Sequence, residues 1–520
     1  MKSIQTATLR PNQLTAHDAL QVYNGLDCAL TLEILEEVGG PNFENIIKRP
    51  SAGLIYDFER AMQAPALEMM MKGWRVDIFA RDIAVADLQK QVVKLQKMLD
   101  ELACVLWDGG TSALDKKRKT PGLNAASPKQ MKTFFYEVLK LPEQFSYARG
   151  EKKVTLNRDA LEKLEPYFHA RPFINLILAI RIRTKKISVL TSEIDPDYRM
   201  RTSYNVTGTE TGRWSSSRNV FDGGTNLQNI TEELRHIFIS DPGKKLAYID
   251  KSQAESRVLG FLIWSILGDS AYLDACESGD LHTYVAKLIW PDLAWTGDPS
   301  KDKDVAEQKF YLHFSYRDMS KRGGHATNYY GKPRTVALHL KVAVALIEAF
   351  QAGYFTAFPG IPEYHRWVAQ QVQVHQYLET PLGMGRHFFG RPGDDATLRE
   401  AIAFIPQSVV GQLLNLALWR NWRHMQHVDR LGQVHDAIVI QYDEEDEAAV
   451  LKQASALMPT PLVSRGRTFI IPSDVMVGWN WRKFSEQNPD GLKKYKGNDN
   501  RKREFDPSKV GLDRRIPRIY

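Results

Sequence analysis

Leu246-Ala247-Tyr248-Ile249-Asp250-Lys251-Ser252-Gln253-Ala254-Glu255-Ser256-Arg257 changes character in its middle. The first four residues are a short apolar run of strand type, and a helical pattern follows through Leu262. An aspartate is therefore expected at the end of a buried strand. A second stretch reads as strand, turn, strand: Gln433-Val434, then His435-Asp436, then Ala437 to Tyr442. It predicts Asp436 at the tip of a hairpin. Two aspartates at strand ends can meet on one sheet edge although far apart in the chain. Phosphoryl transfer asks for such a pair, because two Mg²⁺ ions about 3.5–4 Å apart stabilise the attacking and leaving oxygens of an in-line displacement. Magnesium prefers hard oxygen ligands and takes one or two carboxylates plus substrate phosphates. Either aspartate alone is more simply a turn or cap residue.

Arg317, Lys321, His325 and Tyr329 alter that balance. They lie four apart on an expected helix and form a slowly spiralling stripe. Two cations one turn apart can clamp a triphosphate, and an aromatic further along can stack on or wall off a base. The plainer reading of such a stripe is a solvated face. Gly323 and Gly324 sit inside the same helix, each costing roughly 1 kcal/mol relative to Ala. They predict either local packing or a loosened hinge.

The 520 residues are 43% hydrophobic and 25% charged, an ordinary globular composition with room for several subdomains. No apolar run approaches the roughly 20 residues of a membrane span, and the N-terminal residues show no signal-peptide h-region, so an intracellular protein without a membrane partner is expected. Cys28, Cys104 and Cys276 are too few and too scattered for a disulfide framework or a zinc site. A net charge of +7 suits a polyanionic partner.

Val85, Leu88, Val92, Leu95, Leu99, Leu102 and Leu106 alternate three and four apart, a helix seam to be buried against a partner helix. Phe173 to Leu190, which carries Arg181, Arg183, Lys185 and Lys186 on its flanks, is the expected partner. Between the two lies Lys116-Lys117-Arg118-Lys119, either a solvated loop or a basic tip that grips a phosphate backbone. Residues beyond about 484 hold ten Lys/Arg against six Asp/Glu and read as a basic tail.

These residues together resemble family A DNA polymerases, the bacterial polymerase I type, and most closely their bacteriophage branch. The resemblance runs from about residue 51 to 483. Thr211-Gly212-Arg213-Trp214-Ser215-Ser216 is similar to that family's TGRLSS, and Asn226-Leu227-Gln228-Asn229 to its NLQN. Asp250 to Arg257 resembles motif A (DYSQIELR), the stretch from Arg317 motif B (RxxxKxxxFxxxYG), and Gln433-Val434-His435-Asp436 motif C. Arg399 and Gln407 match the ends of an RxxxNxPxQ element. The fold this implies is α+β, a right-hand polymerase with a helical thumb (51–200), an antiparallel-sheet palm in two parts (201–270 and 396–485) and helical fingers (271–395). A remnant of a 3′–5′ exonuclease domain (1–50) precedes these, and a basic tail (486–520) follows.

The resemblance implies roles. Asp250, Asp436 and the backbone carbonyl of Lys251 hold two Mg²⁺ ions. Arg317, Lys321 and His282 meet the triphosphate of a deoxynucleotide, with Lys321 as proton donor to pyrophosphate. Glu255, with Gln253 beside it, is the steric gate against a ribose 2′-hydroxyl, and His325 and Tyr329 shape the nucleotide pocket. Arg213, Gln228, Asn229, Arg399, Gln407 and His435 line the minor groove of a primer–template, where degenerate acceptors let geometry be checked without reading sequence.

Several positions depart from the family pattern. Motif C usually reads His-Asp-Glu, and Ala437 stands in place of the glutamate. Lys251 replaces a tyrosine in motif A, and His325 replaces Phe or Tyr in motif B. The motif B Tyr-Gly pair, Tyr330-Gly331, falls one residue late, so counting back from it puts Arg322 rather than Lys321 at the lysine position; Lys321 is preferred because it keeps Arg317 four residues away. Ala403 and Ile405 replace the Asn and Pro of RxxxNxPxQ. Tyr23 to Asp27 resembles the last exonuclease motif (YxxxD), without the earlier acidic motifs upstream. No 3′→5′ exonuclease activity is therefore expected from this chain. Residues 1–45 are either a decayed remnant or a docking surface for a separate exonuclease polypeptide; a processivity protein is a further possible partner, and a monomeric polymerase core is expected. Competing readings are a single-subunit RNA polymerase, a reverse transcriptase (which would carry YxDD) and a non-catalytic DNA-binding scaffold.

Overall fold

The computed structural model describes residues 29–30, 50–107, 122–148, 151–219, 223–312 and 314–495. The Tyr23–Asp27 motif, the Lys116–Lys119 cluster and residues 496–520 lie outside the described residues.

The central element is a five-stranded sheet in the order β2-β3-β1-β4-β5, every neighbouring pair antiparallel. Its strands are β1 (Lys244–Lys251), β2 (Asp429–Val434), β3 (Ala437–Asp443), β4 (Ser473–Gly478) and β5 (Lys493–Lys494). The apolar run at 246–249 becomes the centre of β1, flanked by β3 and β4. Side chains alternate between the two faces of a strand. Ala247 and Ile249 face a buried layer with Ile438, Ile440 and Val475. Burying Ile249 completely contributes about 2 kcal/mol. Tyr248 and Asp250 point to the other face.

That parity explains Lys251. It is the last residue of β1 and falls on the buried face, where its Nζ donates to the Met458 carbonyl at 2.9 Å. Burial, with Arg420 nearby, pushes its pKa down to about 7.

Beneath the sheet runs α7 (Asp395–His424). It is long and apolar enough to cross a bilayer, but 83% of its most apolar window is buried inside the protein. A core helix and a membrane span can share one composition, and the burial of α7 is that of a core helix. Pro406 stands inside α7 and gives no backbone N–H to the helix.

Helix α1 (Ile78–Ala103) packs along α2 (Arg171–Leu190). The seam holds at Leu88 and Leu99, both buried. It fails at Leu102 and Leu106, which are 40% and 48% exposed, while Ala103 and Trp107 take the buried positions. A 3.6-residue turn drifts from a 3.5-residue seam by about 20° per heptad, so the buried stripe slips one residue late at Ala103, while Leu106 and Trp107 lie past the helix end. Arg181 serves structure, donating to the carbonyls of Ala125 and Leu156 at 3.0 and 2.6 Å.

The stretch between β1 and α7 is mostly helical. It includes α3 (Ala254–Leu267), α4 (Leu281–Ile289), α5 (Tyr316–Asn328) and α6 (Val344–Ala357). Ser315 caps α5, accepting the Asp318 N–H at 3.0 Å. Its end is set by Tyr330 at φ +60° and by the Gly331 N–H, which bonds to the Ala326 carbonyl at 2.8 Å. The surplus residue of the Tyr-Gly pair is thus taken up in the turn after the helix, and the spacing of Arg317 and Lys321 inside it is untouched.

The C-terminal segment departs from the expected tail. Through residue 495 it folds onto the sheet: Leu492 and Asn488 are buried, and β5 pairs with β4. Gly478 and Gly491 make the close approach possible, since a Cβ on Gly478 would stand 2.7 Å from the Gly491 carbonyl carbon.

Candidate active site

The sheet register brings the two aspartates together. Ala437 pairs with Asp250 across β3 and β1, and the Lys251 N–H donates to the Asp436 carbonyl at 3.1 Å. The hairpin turns through His435 at φ +54°, a left-handed conformation that presents His435 and Asp436 at the tip. Burial raises the pKa of Asp250 to about 7, helped by the charges of Asp436 and Asp474. Burial also raises Asp436, against the pull of Arg213. Two half-buried carboxylates side by side present an oxygen donor set that suits a hard cation such as Mg²⁺, although among the described residues no third His, Cys, Asp or Glu joins them in a group that could hold the ion.

A cavity of about 330 Å³ opens over this pair, lined by Asp250, Asp436, Glu255, His282, Lys321 and His325 among others. Gln253 Oε1 and Ser320 Oγ also border it, both buried and without a hydrogen-bond partner among the described residues. Such orphaned atoms are satisfied by a polar ligand.

Two walls of the cavity come from helix starts and stripes. Gln253, at φ +53°, turns the chain from β1 into α3 and sets Glu255 in its first turn. The Glu255 carboxylate takes one bond from Arg213 and one from the Tyr329 hydroxyl at 2.6 Å. Burial alone would raise its pKa, but Arg213 and Tyr329 hold it below the usual value. Arg213 also reaches Asp436 at 3.7 Å. Next to the cavity-lining Leu281 and His282, Asp280 caps α4 and binds Arg317 at 2.7 and 3.2 Å, and neither Asp280 nor Arg317 lines the cavity itself. Glu307 stands 3.5 Å from the same guanidinium. Arg317 is therefore fixed, whereas the exposed Lys321 lines the cavity. Arg322 turns away and lies over the Phe314 ring at 5.3 Å. Burial, with the cations around it, lowers the pKa of His282 to about 4, so it is neutral near pH 7. His325 meets the Tyr329 ring edge-on at 5.0 Å.

The other expected residues sit along the sheet and α7. Gln228 donates to the Gln433 carbonyl at 3.2 Å, beside the hairpin. His435 and Asn229 are exposed. Although its surface is exposed, partial desolvation of the His435 ring at the hairpin tip, with the Arg235 charge, lowers its pKa. Arg399 is exposed near the start of α7, and Gln407 is half-buried two turns on. The sequence reading missed Asp280, which fixes Arg317, and Asp474, which pairs with Asp250 across β1 and β4. Asp280 had a local signal, as a helix cap just before His282.

A family model described as DNA polymerase family A matches residues 95–483. The chain is 25% identical over 448 residues to the thermostable DNA polymerase I of Thermus caldophilus, covering 82% of this chain and 47% of that one. It is 28% identical over 290 residues to DNA polymerase I of Mycobacterium bovis, covering 54% and 29%. It thus spans about half the length, or less, of the curated relatives it matches. Among solved structures it is similar to the POL domain of Pol1 from M. smegmatis, in complex with DNA primer-template and dNTP, with a TM-score of 0.65, 22% identity, and 84% and 72% of the two chains covered. That likeness gives the right-hand fold.

Proposed function

The chain belongs to DNA polymerase family A, and on that premise we propose that it is a DNA-directed DNA polymerase that extends a primer 3′-hydroxyl with deoxynucleoside triphosphates. The observation that carries the reading is the meeting of Asp250 and Asp436 under a cavity walled by Lys321, His282 and Glu255.

Asp250, Asp436 and the Lys251 carbonyl would hold Mg²⁺, which when bound supplies charge stabilisation to the attacking and leaving oxygens. The protein's own residues do the rest. Arg317, locked by Asp280, is a preorganised donor for the triphosphate and loses little freedom on binding it. Neutral His282 adds a hydrogen bond rather than a charge. Lys321 donates the proton that the departing pyrophosphate takes up. Glu255, held on both sides by Arg213 and Tyr329, cannot swing aside and excludes a 2′-hydroxyl. His325 and Tyr329 wall the pocket of the nascent pair. Arg213, Gln228, Asn229, Arg399, Gln407 and His435 meet the minor groove of the primer–template.

Primer extension with Mg²⁺ and four deoxynucleotides tests this. Wild type should extend, and Asp436→Asn should be slower by about 100- to 1,000-fold, the scale of losing one preorganised electrostatic partner. Wild-type protein that binds primer–template tightly yet adds no nucleotide would move the assignment to a DNA-binding scaffold.

A further inference from the structure

The sheet register sets three positions in one row on the face that carries the catalytic pair: Ala437 on β3, Asp250 on β1 and Asp474 on β4. Residues directly opposite in antiparallel strands have Cβ atoms about 4.5–5.5 Å apart and share a face. Ala437 occupies the position where the family's motif C carries a glutamate. One flank of Asp250 therefore bears a methyl group, and the other bears a carboxylate.

Resting on the polymerase reading, we infer that Asp474 is a positioning carboxylate beside the metal site, not one of the groups that hold the ion, and supplies from β4 the charge that Ala437 lacks on β3. Its neighbours are those of a positioning group. The Ser252 hydroxyl donates to one Asp474 oxygen, and the Ser252 N–H bonds to the Pro472 carbonyl at 2.9 Å. The chain leaving Asp250 is thus fastened to β4 at two points. Lys494 of β5 lies 3.1 Å from the other oxygen. Magnesium keeps several waters, and carboxylates just outside the ligand shell orient them and the ligands. Asp474 is 44% exposed, which leaves it open to that water.

Mn²⁺ binding to the full chain, followed by the loss of the free-ion EPR signal, tests this apart from activity. Asp474→Asn keeps the size and an acceptor for Ser252 but removes the charge. It should weaken Mn²⁺ binding about tenfold or more, the usual scale for an outer-shell partner. Ala437→Glu added to Asp474→Asn should recover most of the loss by returning a carboxylate to the other flank. Ser252→Ala, which removes the fastening alone, should stay within about twofold of wild type. Thermal melting establishes that each variant is folded. Unchanged Mn²⁺ affinity in Asp474→Asn, or an equal loss in Ser252→Ala, would overturn the inference. Failure of the polymerase reading is a separate result, since it shows as wild-type protein that does not extend a primer.

Discussion

The Tyr329 hydroxyl donates to Glu255 Oε2 at 2.6 Å, tying the end of α5 to the first turn of α3. With Arg213 on its other oxygen, Glu255 has no free rotamer. Replacing it with Ala opens the space a 2′-hydroxyl would occupy. Glu255→Ala should lower the preference for dATP over ATP in single-nucleotide insertion by roughly 100-fold, or about 3 kcal/mol of discrimination. Tyr329→Phe keeps the ring and the Arg213 bond, and should cost less than about tenfold. An unchanged ratio of kcat/KM values in Glu255→Ala would remove the gate assignment.

The same carboxylate shows how far the sequence could be read. Asp250 and Asp436 stood out by local pattern, a strand end and a hairpin tip, whereas Glu255 was singled out only through the motif A resemblance. Lys251 was opaque until the strand parity turned it into the buried face. Asp474 had no local signal at all, because its meaning is its pairing with a residue 224 positions earlier. The slip of the α1 seam from Leu102 to Ala103 is a third kind of miss, where an ideal repeat was carried one turn beyond the length over which it fits. The segment to residue 495 was read as tail because its burial depends on a few residues, Leu492 and Asn488 among them, rather than on periodicity.

The motif B register gives a second prediction. Lys321 borders the cavity, whereas Arg322 lies over Phe314. Lys321→Ala should cut the single-turnover rate of nucleotide addition by about 100-fold or more, the scale of removing general acid catalysis. Arg322→Ala, losing one exposed cation–π contact of about 0.5–1 kcal/mol, should leave that rate within about threefold. The reverse ranking would shift the motif by one residue.

Asp250 and Lys251 make stability depend on pH in opposite senses. The Asp250 pKa is raised from 3.8 to about 7, so between those values the fold keeps a proton that the unfolded chain releases, and stability from this group falls as pH rises. The Lys251 pKa is lowered from 10.5 to about 7, so its contribution is full at high pH and is lost as pH falls toward 7. Together they give the metal-free protein a shallow stability minimum near neutrality. A divalent ion displaces the Asp250 proton, so the Tm increase caused by Mg²⁺ should grow between about pH 6 and pH 8. Asp250→Asn should abolish that growth. A Mg²⁺ shift independent of pH would show that Asp250 is already ionised in the fold.

Gly323 and Gly324 separate packing from hinge motion. A Cβ on Gly323 would stand 2.8 Å from Phe350 Cε1. Phe350 is buried and cannot retreat, because Tyr354 stacks on one side of it at 5.7 Å and Trp290 lies 6.1 Å away. Gly323→Ala therefore gains about 1 kcal/mol of helix propensity but costs about 1–3 kcal/mol of overpacking, a net loss. At Gly324 the nearest atom is Tyr354 Cε2 at 3.3 Å, a tight but tolerable contact. There the two effects should cancel to within about 1 kcal/mol. Chemical denaturation of the two single variants should rank Gly323→Ala clearly below Gly324→Ala. A hinge would give a different signature, with both alanines slowing a stopped-flow closure signal alike while their stabilities stay equal. That pattern would assign the glycines to motion; unequal stability assigns them to the close approach of α5 and α6.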